Sequence, residues 1–120
     1  MPISAKLRKS PEFRVVYETG RRYDGLLMTA FVFPNLYGGH RLGVTASRKL
    51  SRRAVGRNRV KRLLRESFRL SGVKLQELQR PYDWVLNAKR PLLGVKQRAS
   101  LDDFQRLVEQ VAKFERGSNC

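Results

Sequence analysis

Residues 41–70 read RLGVTASRKLSRRAVGRNRVKRLLRESFRL, and the fold turns on how this stretch is divided. Its first part, RLGVTAS, is short, rich in β-formers and bounded by turn residues, so residues 41–47 are expected to form a strand. A basic connection, 48–53, follows. From Ala54 or Arg57 to Leu70 the spacing changes: Val60, Leu63, Leu64 and Phe68 recur on one face of a helix. Ser71-Gly72 closes that helix. A strand that passes through a basic loop into an amphipathic helix calls for a sheet with helices packed on it.

On the N-terminal side, residues 23–33 are dominated by β-formers. Leu27, Thr29, Phe31 and Phe33 share one parity, and Leu26, Met28, Ala30 and Val32 the other. Both faces are largely apolar, as in a strand covered on both sides, and the region has room to split in two. Pro34-Asn35 and Gly38-Gly39 mark a turn, which predicts that 41–47 runs back antiparallel to the first strand. Further upstream, Ser10-Pro11-Glu12 is a helix start. Phe13, Val16 and Tyr17 fall on one face, and Thr19-Gly20 is the stop. On the C-terminal side, residues 82–88 form a strand ended by Lys89-Arg90-Pro91. A last helix is expected from Ser100, with Asp103 completing a capping box and Leu101, Phe104, Val108 and Val111 at helical spacing. Residues 116–120 are expected to be a frayed tail. The order is α-β-β-α-β-α, or α-β-β-β-α-β-α if the first strand region divides: an α+β single domain over 1–120.

Charge narrows the class of partner. The 120 residues carry 26 Lys and Arg against 10 Asp and Glu, a formal charge of +16. Hydrophobic residues are 41% of the chain, too many for a disordered basic tail. Self-repulsion at this charge favours a polyanionic partner. No apolar stretch approaches the roughly 20 residues of a spanning helix, and no export signal follows the N-terminal basic residues. No membrane partner and a cytoplasmic location are therefore expected. Cys120 is the single cysteine, so neither an internal disulfide nor a thiolate metal site is expected.

The positive charge is concentrated. No acidic residue lies between Asp24 and Glu66, while Arg41, Arg48, Lys49, Arg52, Arg53, Arg57, Arg59, Lys61, Arg62 and Arg65 all do. On the helix, Asn58, Lys61, Arg62, Arg65 and Arg69 fall away from the apolar stripe, Arg59 flanks it, and Arg57 lies near its edge at the helix start. Guanidinium forks match phosphate oxygens bidentately. Asn58 can reach a base edge, a 2′-hydroxyl or the neighbouring backbone. A solvated basic face without a partner is the plain alternative. Phe13 with Tyr17, and Phe31 with Phe33, form either a platform for unstacked bases or simply core; the residues alone favour core. His40, the only His, sits in a turn without a catalytic companion, and no phosphate-cradling glycine loop is present. No catalytic residue and no protein-bound metal or cofactor are expected.

Residues 41–70 closely resemble the signature of the bacterial ribonuclease P protein family. The hallmark is Arg57-Asn58-Arg59 followed by Val60-Lys61-Arg62-Leu63. Leu7-Arg8 with Phe13, Val16, Tyr17 and Gly20 is similar to the family's N-terminal helix. Leu42-Gly43-Val44 with Ser47-Arg48-Lys49 resembles its inner strand, and Asp83-Trp84-Val85 with Ala88-Lys89-Arg90-Pro91 its last strand. The resemblance implies a four-stranded α-β-β-β-α-β-α sandwich with a left-handed βαβ crossover, contrary to the general rule. It implies a subunit that assists a catalytic RNA in the endonucleolytic removal of the 5′ leader from precursor tRNA. Magnesium is then required by the RNA, and one protein pairs with one RNA. Carried over by position, Arg57, Asn58, Arg59, Lys61, Arg62 and Arg65 contact the RNA subunit. Phe13, Tyr17, Phe31, Ser47, Arg48, Lys49 and Lys89 contact the single-stranded leader. Tyr17 stands where the family often has Phe, which preserves stacking. The link 50–56 is slightly longer than in many members, which leaves the roles of Arg52 and Arg53 open. A ribosomal or assembly protein would share size and charge but lack an aromatic cleft beside the basic helix. A protein nuclease would need clustered acids or His.

Overall fold

A computed structural model describes residues 10–118; Leu7, Arg8 and Cys120 lie outside the described residues. The chain runs α1 (Ser10–Thr19), β1 (Arg21–Asp24), β2 (Met28–Pro34), β3 (Arg41–Thr45), α2 (Ala54–Leu70), α3 (Gly72–Gln76), β4 (Tyr82–Ala88), a 3-10 helix (Arg90–Gly94) and α4 (Gln97–Ser118). The first strand region does divide in two. The short α3 and the 3-10 helix are additions to the expected order.

The four strands lie in the order β1-β2-β4-β3. β1 and β4 both flank β2 antiparallel, and β3 pairs with β4 in parallel. This corrects one expectation. β3 does run opposite to β2, but the two are not paired, because β4 is inserted between them. β4 is buried from Tyr82 through Leu86 on both faces, so burial places it at the centre. A parallel β3–β4 pair cannot be closed by a tight turn; α2 supplies the crossover.

Alternation along the strands builds two unlike faces. Met28, Ala30 and Val32 of β2, Leu42 of β3, and Tyr82, Trp84 and Leu86 of β4 pack with Val60, Leu64 and Phe68 of α2 and Phe104, Leu107, Val108 and Val111 of α4. The apolar stripe expected on α2 is thus the buried one, joined by Ser67. Ser67 Oγ bonds Ser100 Oγ at 2.7 Å and donates to the Leu63 carbonyl, forming a polar seam inside the helix pair. On the opposite face, Val16 of α1 seals Val85 amid Phe13, Phe31 and Phe33.

The final helix begins at Gln97, earlier than the expected Ser100, and Ser100 is buried inside it. Asp103 is not a capping-box residue. Its buried carboxylate accepts from the backbone N–H groups of Leu26 (3.0 Å) and Leu27 (2.9 Å), and so clamps the β1–β2 turn. The helix continues through Arg116 to Ser118, where the sequence reading has a frayed tail. His40 is a buried structural residue. Its Nδ1 accepts from the Tyr82 N–H and from Trp84 Nε1, each at 3.1 Å, and its Nε2 donates to the Leu75 carbonyl at 2.9 Å. Burial lowers its pKa from the ordinary histidine value.

Candidate nucleic-acid interface

Two basic regions and one aromatic cleft make up the candidate interface, the second basic region lying just after the ends of parallel strands β3 and β4. The first region is the outer face of α2. Asn58, Arg62 and Arg65 are exposed and Lys61 is half-buried. Among the described residues, no acid pairs with Lys61, Arg62 or Arg65. Arg69, further along, is neutralised by Glu66.

Arg57 and Arg59 are placed differently. Arg57 Nη1 donates to the carbonyls of Ser51 and Arg52, both at 2.9 Å. Arg59 donates through Nη1 to Leu93 (3.1 Å) and through Nη2 to Val95 (2.7 Å), closing on the end of the 3-10 helix. Both arginines, expected among the RNA contacts, therefore brace the protein's own loops. Arg90 adds a third brace, donating to the Lys49 carbonyl at 2.9 Å. Sequence reasoning missed this role, because the carbonyl acceptors lie across a loop or a crossover and leave no periodic trace.

The braced loop walls the second region. Leu50, buried, anchors it to the core. Arg48, Lys49, Ser51, Arg52, Arg57 and Arg90 line an open basin of about 1040 Å³ at the start of α2. Five of these residues are cationic and none is acidic. The helix start bears no acidic residue and no side-chain cap, so its positive end adds to the field there. Arg52 belongs to this basin; nothing in the structure assigns Arg53 a role.

The cleft lies on the α1 face of the sheet. Strand register puts Arg22, Phe31, Val85 and Gly43 in one cross-strand row, and Asp24, Thr29, Asn87 and Thr45 in the next. α1 covers the first row. The Phe13 ring rests on Gly43, where a Cβ would stand 2.4 Å from the ring tip; only glycine allows this approach. Tyr17 stands over the border of the second row. Its ring meets Phe31 edge-on at 4.9 Å and its hydroxyl donates to Asn87 Oδ1 at 2.8 Å, yet it remains 40% exposed. Phe13 and Phe31 are half-buried, so among the expected aromatics Tyr17 presents the most open ring. Ser47, Arg48 and Lys49 are exposed just beyond β3. Lys89, just beyond β4, donates Nζ to the Gly25 carbonyl at 2.7 Å and lies 3.7 Å from Asp24. Of the expected leader residues, Phe13 and Phe31 thus lie over the middle of the sheet, against Gly43 and beside Val85, while Ser47, Arg48, Lys49 and Lys89 follow the ends of β3 and β4.

Arg41, also within the acid-free block, is withdrawn from the surface. It forks onto Asp83 (2.8 and 2.7 Å) and reaches Glu12 at 3.1 Å, tying α1 to the sheet. These partners, Asp83 above all, raise its pKa. Asn87 and Thr45 in the cleft floor were missed by the sequence reading. The signal was available: Asn87 breaks the apolar run of β4 on the parity opposite Trp84 and Leu86. Among the described residues, no group of three or more His, Cys, Asp or Glu side chains is placed to hold a metal ion, and no helix is long and apolar enough to cross a membrane.

A ribonuclease P family profile matches residues 1–112. The chain is 44% identical over 84 residues to the ribonuclease P protein component of Clostridium botulinum (strain 657 / Type Ba4), covering 70% of this chain and 73% of that one. It is 42% identical over 94 residues to the ribonuclease P protein component of Methylococcus capsulatus, covering 78% and 70%. In fold it is similar to the RNase P protein of Thermotoga maritima, with a TM-score of 0.76 at 22% identity over 88% of this chain and 96% of that one. The RNase P protein of Staphylococcus aureus gives a TM-score of 0.72 at 23% identity over 87% and 92%.

Proposed function

The chain belongs to the ribonuclease P protein family, and we propose that within that enzyme it is a two-sided RNA clamp, holding the catalytic RNA on α2 and its basin and the single-stranded precursor leader in the α1 cleft. As a ribonuclease P protein component it serves the maturation of tRNA 5′ ends. The observation that carries the clamp reading is that the chain presents, on distinct surfaces, an unneutralised helix face, a five-cation basin after β3 and β4, and a half-open aromatic cleft.

The division of labour follows from the chemistry of each surface. Exposed guanidinium and ammonium groups without acidic partners release counterions when they meet phosphates, which supplies affinity without reading sequence. A half-open tyrosine over a polar floor suits an unstacked base. In this reading bond cleavage is the work of the RNA, and the protein's part is to bind and position phosphates and bases. The magnesium that such chemistry requires would be held by the RNA. One protein per RNA is the simplest stoichiometry for a clamp with one copy of each surface.

The test is reconstitution. The purified chain, added to ribonuclease P RNA and precursor tRNA at low magnesium, should stimulate 5′ cleavage well above RNA alone. No stimulation would sink the proposal, and cleavage by the protein without RNA would overturn the placement of the chemistry.

A further inference from the structure

The floor of the cleft holds a carboxamide with only one half of its hydrogen-bonding capacity in use. Asn87 Oδ1 accepts from the Tyr17 hydroxyl at 2.8 Å and from Thr45 Oγ1 at 2.6 Å. Two hydroxyls from different elements, α1 and β3, thereby set the plane of the amide. Its Nδ2 donors have no partner among the described residues. The neighbour across the row, Thr29, donates its hydroxyl to Asp24 Oδ1 at 3.0 Å, and no hydrogen bond joins it to Asn87. The side chain is half-buried beside the exposed ring of Tyr17.

We propose that Asn87 reads the base of a leader nucleotide, its Nδ2 donating to a keto oxygen of a base stacked against Tyr17; this rests on the reading of the cleft as the leader site. With Oδ1 occupied, the group offers donors alone. It is neutral, whereas Arg48 and Lys49 stand nearby at the strand end, where phosphates find stronger partners. The acceptor best matched to an uncharged donor beside an aromatic ring is a base edge. Uracil offers two keto oxygens on its edges. Adenine offers no keto oxygen, and its ring acceptors N1 and N7 each flank an amino group that would meet donor with donor. A base that sets a donor beside its acceptor pairs less completely with the half-buried amide, and incompletely paired polar groups are the usual origin of discrimination by a polar site.

The experiment uses holoenzyme reconstituted from the full chain and ribonuclease P RNA. Its substrates are precursor tRNAs differing only in leader, uridines against adenosines, with leaderless tRNA as reference. Asn87→Asp keeps an oxygen for Tyr17 and Thr45 but removes the donors. Asn87→Val removes both and suits a central strand. Thermal melts report the fold of each variant; if Asn87→Val melts early, Asn87→Asp decides. The uridine-to-adenosine affinity ratio should fall roughly two- to tenfold in the variants, the scale of one neutral hydrogen bond. An unchanged ratio in a folded variant overturns the assignment. Equal affinity of the unaltered holoenzyme for leader-bearing and leaderless tRNA would instead strike down the cleft reading itself.

Discussion

The guanidinium of Arg59 donates through Nη2 to the carbonyl oxygen of Val95 at 2.7 Å. A side chain at the centre of the most basic run in the protein is thus directed inward, onto the chain that follows β4. With Arg57 on Ser51 and Arg52 and Arg90 on Lys49, it makes the loop after β3 and the turn after β4 one mechanical unit with α2.

Arg59→Ala should therefore cost stability, about 1–3 kcal/mol for charge-assisted bonds to carbonyls. Arg59→Lys should recover little of it, because an ammonium cannot span the carbonyls that a fork spans. Arg62→Ala should leave stability nearly unchanged and instead reduce the salt dependence of RNA-subunit binding by roughly one phosphate contact. Thermal unfolding and salt titration of the two variants side by side measure both effects. A lowered salt slope without a stability loss in Arg59→Ala would show that this side chain faces RNA after all.

Tyr17→Ala should weaken leader-bearing substrate more than leaderless tRNA, by roughly 1–3 kcal/mol for one lost stacking contact. It should leave RNA-subunit affinity intact. Arg62→Ala should show the reverse pattern. Equal losses of both variants in both binding assays would refute the separation of the two surfaces.

Gly43→Ala places a methyl group 2.4 Å from the Phe13 ring, against a residue wedged under α1. Overpacking of this kind costs about 1–3 kcal/mol. Because α1 is what lifts Tyr17 over the cleft, leader affinity should fall along with the melting temperature. Retained leader affinity would place the binding surface elsewhere.

Arg41→Ala removes the fork from Asp83, whose side chain is 8% exposed. Among the described residues, the carboxylate would keep only Asn35 Nδ2, at 2.7 Å, and losing the charged partner of a buried carboxylate costs up to about 3–5 kcal/mol. Replacing both partners by apolar residues should cost less than Arg41→Ala alone. Denaturant melts of the single and double variants test this, and additive losses would mean the pair is uncoupled.

His40 sets an acid limit on stability. Its pKa is lowered in the fold, chiefly by burial, so the folded state favours the neutral ring. Its contribution is complete above the unfolded value near 6.5 and declines as pH falls from there through the depressed folded value. Protonation puts a hydrogen on Nδ1, where Tyr82 and Trp84 both donate. Melting temperature should drop between pH 7.5 and 5 more steeply than in a folded His40→Gln variant; parallel curves would exclude the histidine as the cause.

What was legible in the sequence was local. Period 3.6 in 60–68 marks the buried stripe of α2, and short runs of β-formers in 23–33 and 82–88 mark strands, because side-chain spacing and branching follow directly from backbone geometry. The family of the chain was legible too, since Arg57-Asn58-Arg59 and its flanks are contiguous. The basic surface as a whole could be read from an acid-free block of sequence. Strand order could not be read this way. The turn at 34–39 suggested a β2–β3 hairpin, and only competition for the buried centre of the sheet puts β4 between them. Nor could the fate of individual charges. Arg59 and Arg62 are indistinguishable as letters, yet one clasps carbonyls across the crossover while the other stands free, because hydrogen-bond partners 30 or more residues away are supplied by packing alone. Composition and periodicity thus determined that this protein has a basic helix for a polyanion. Tertiary structure decided which cations are left to meet it.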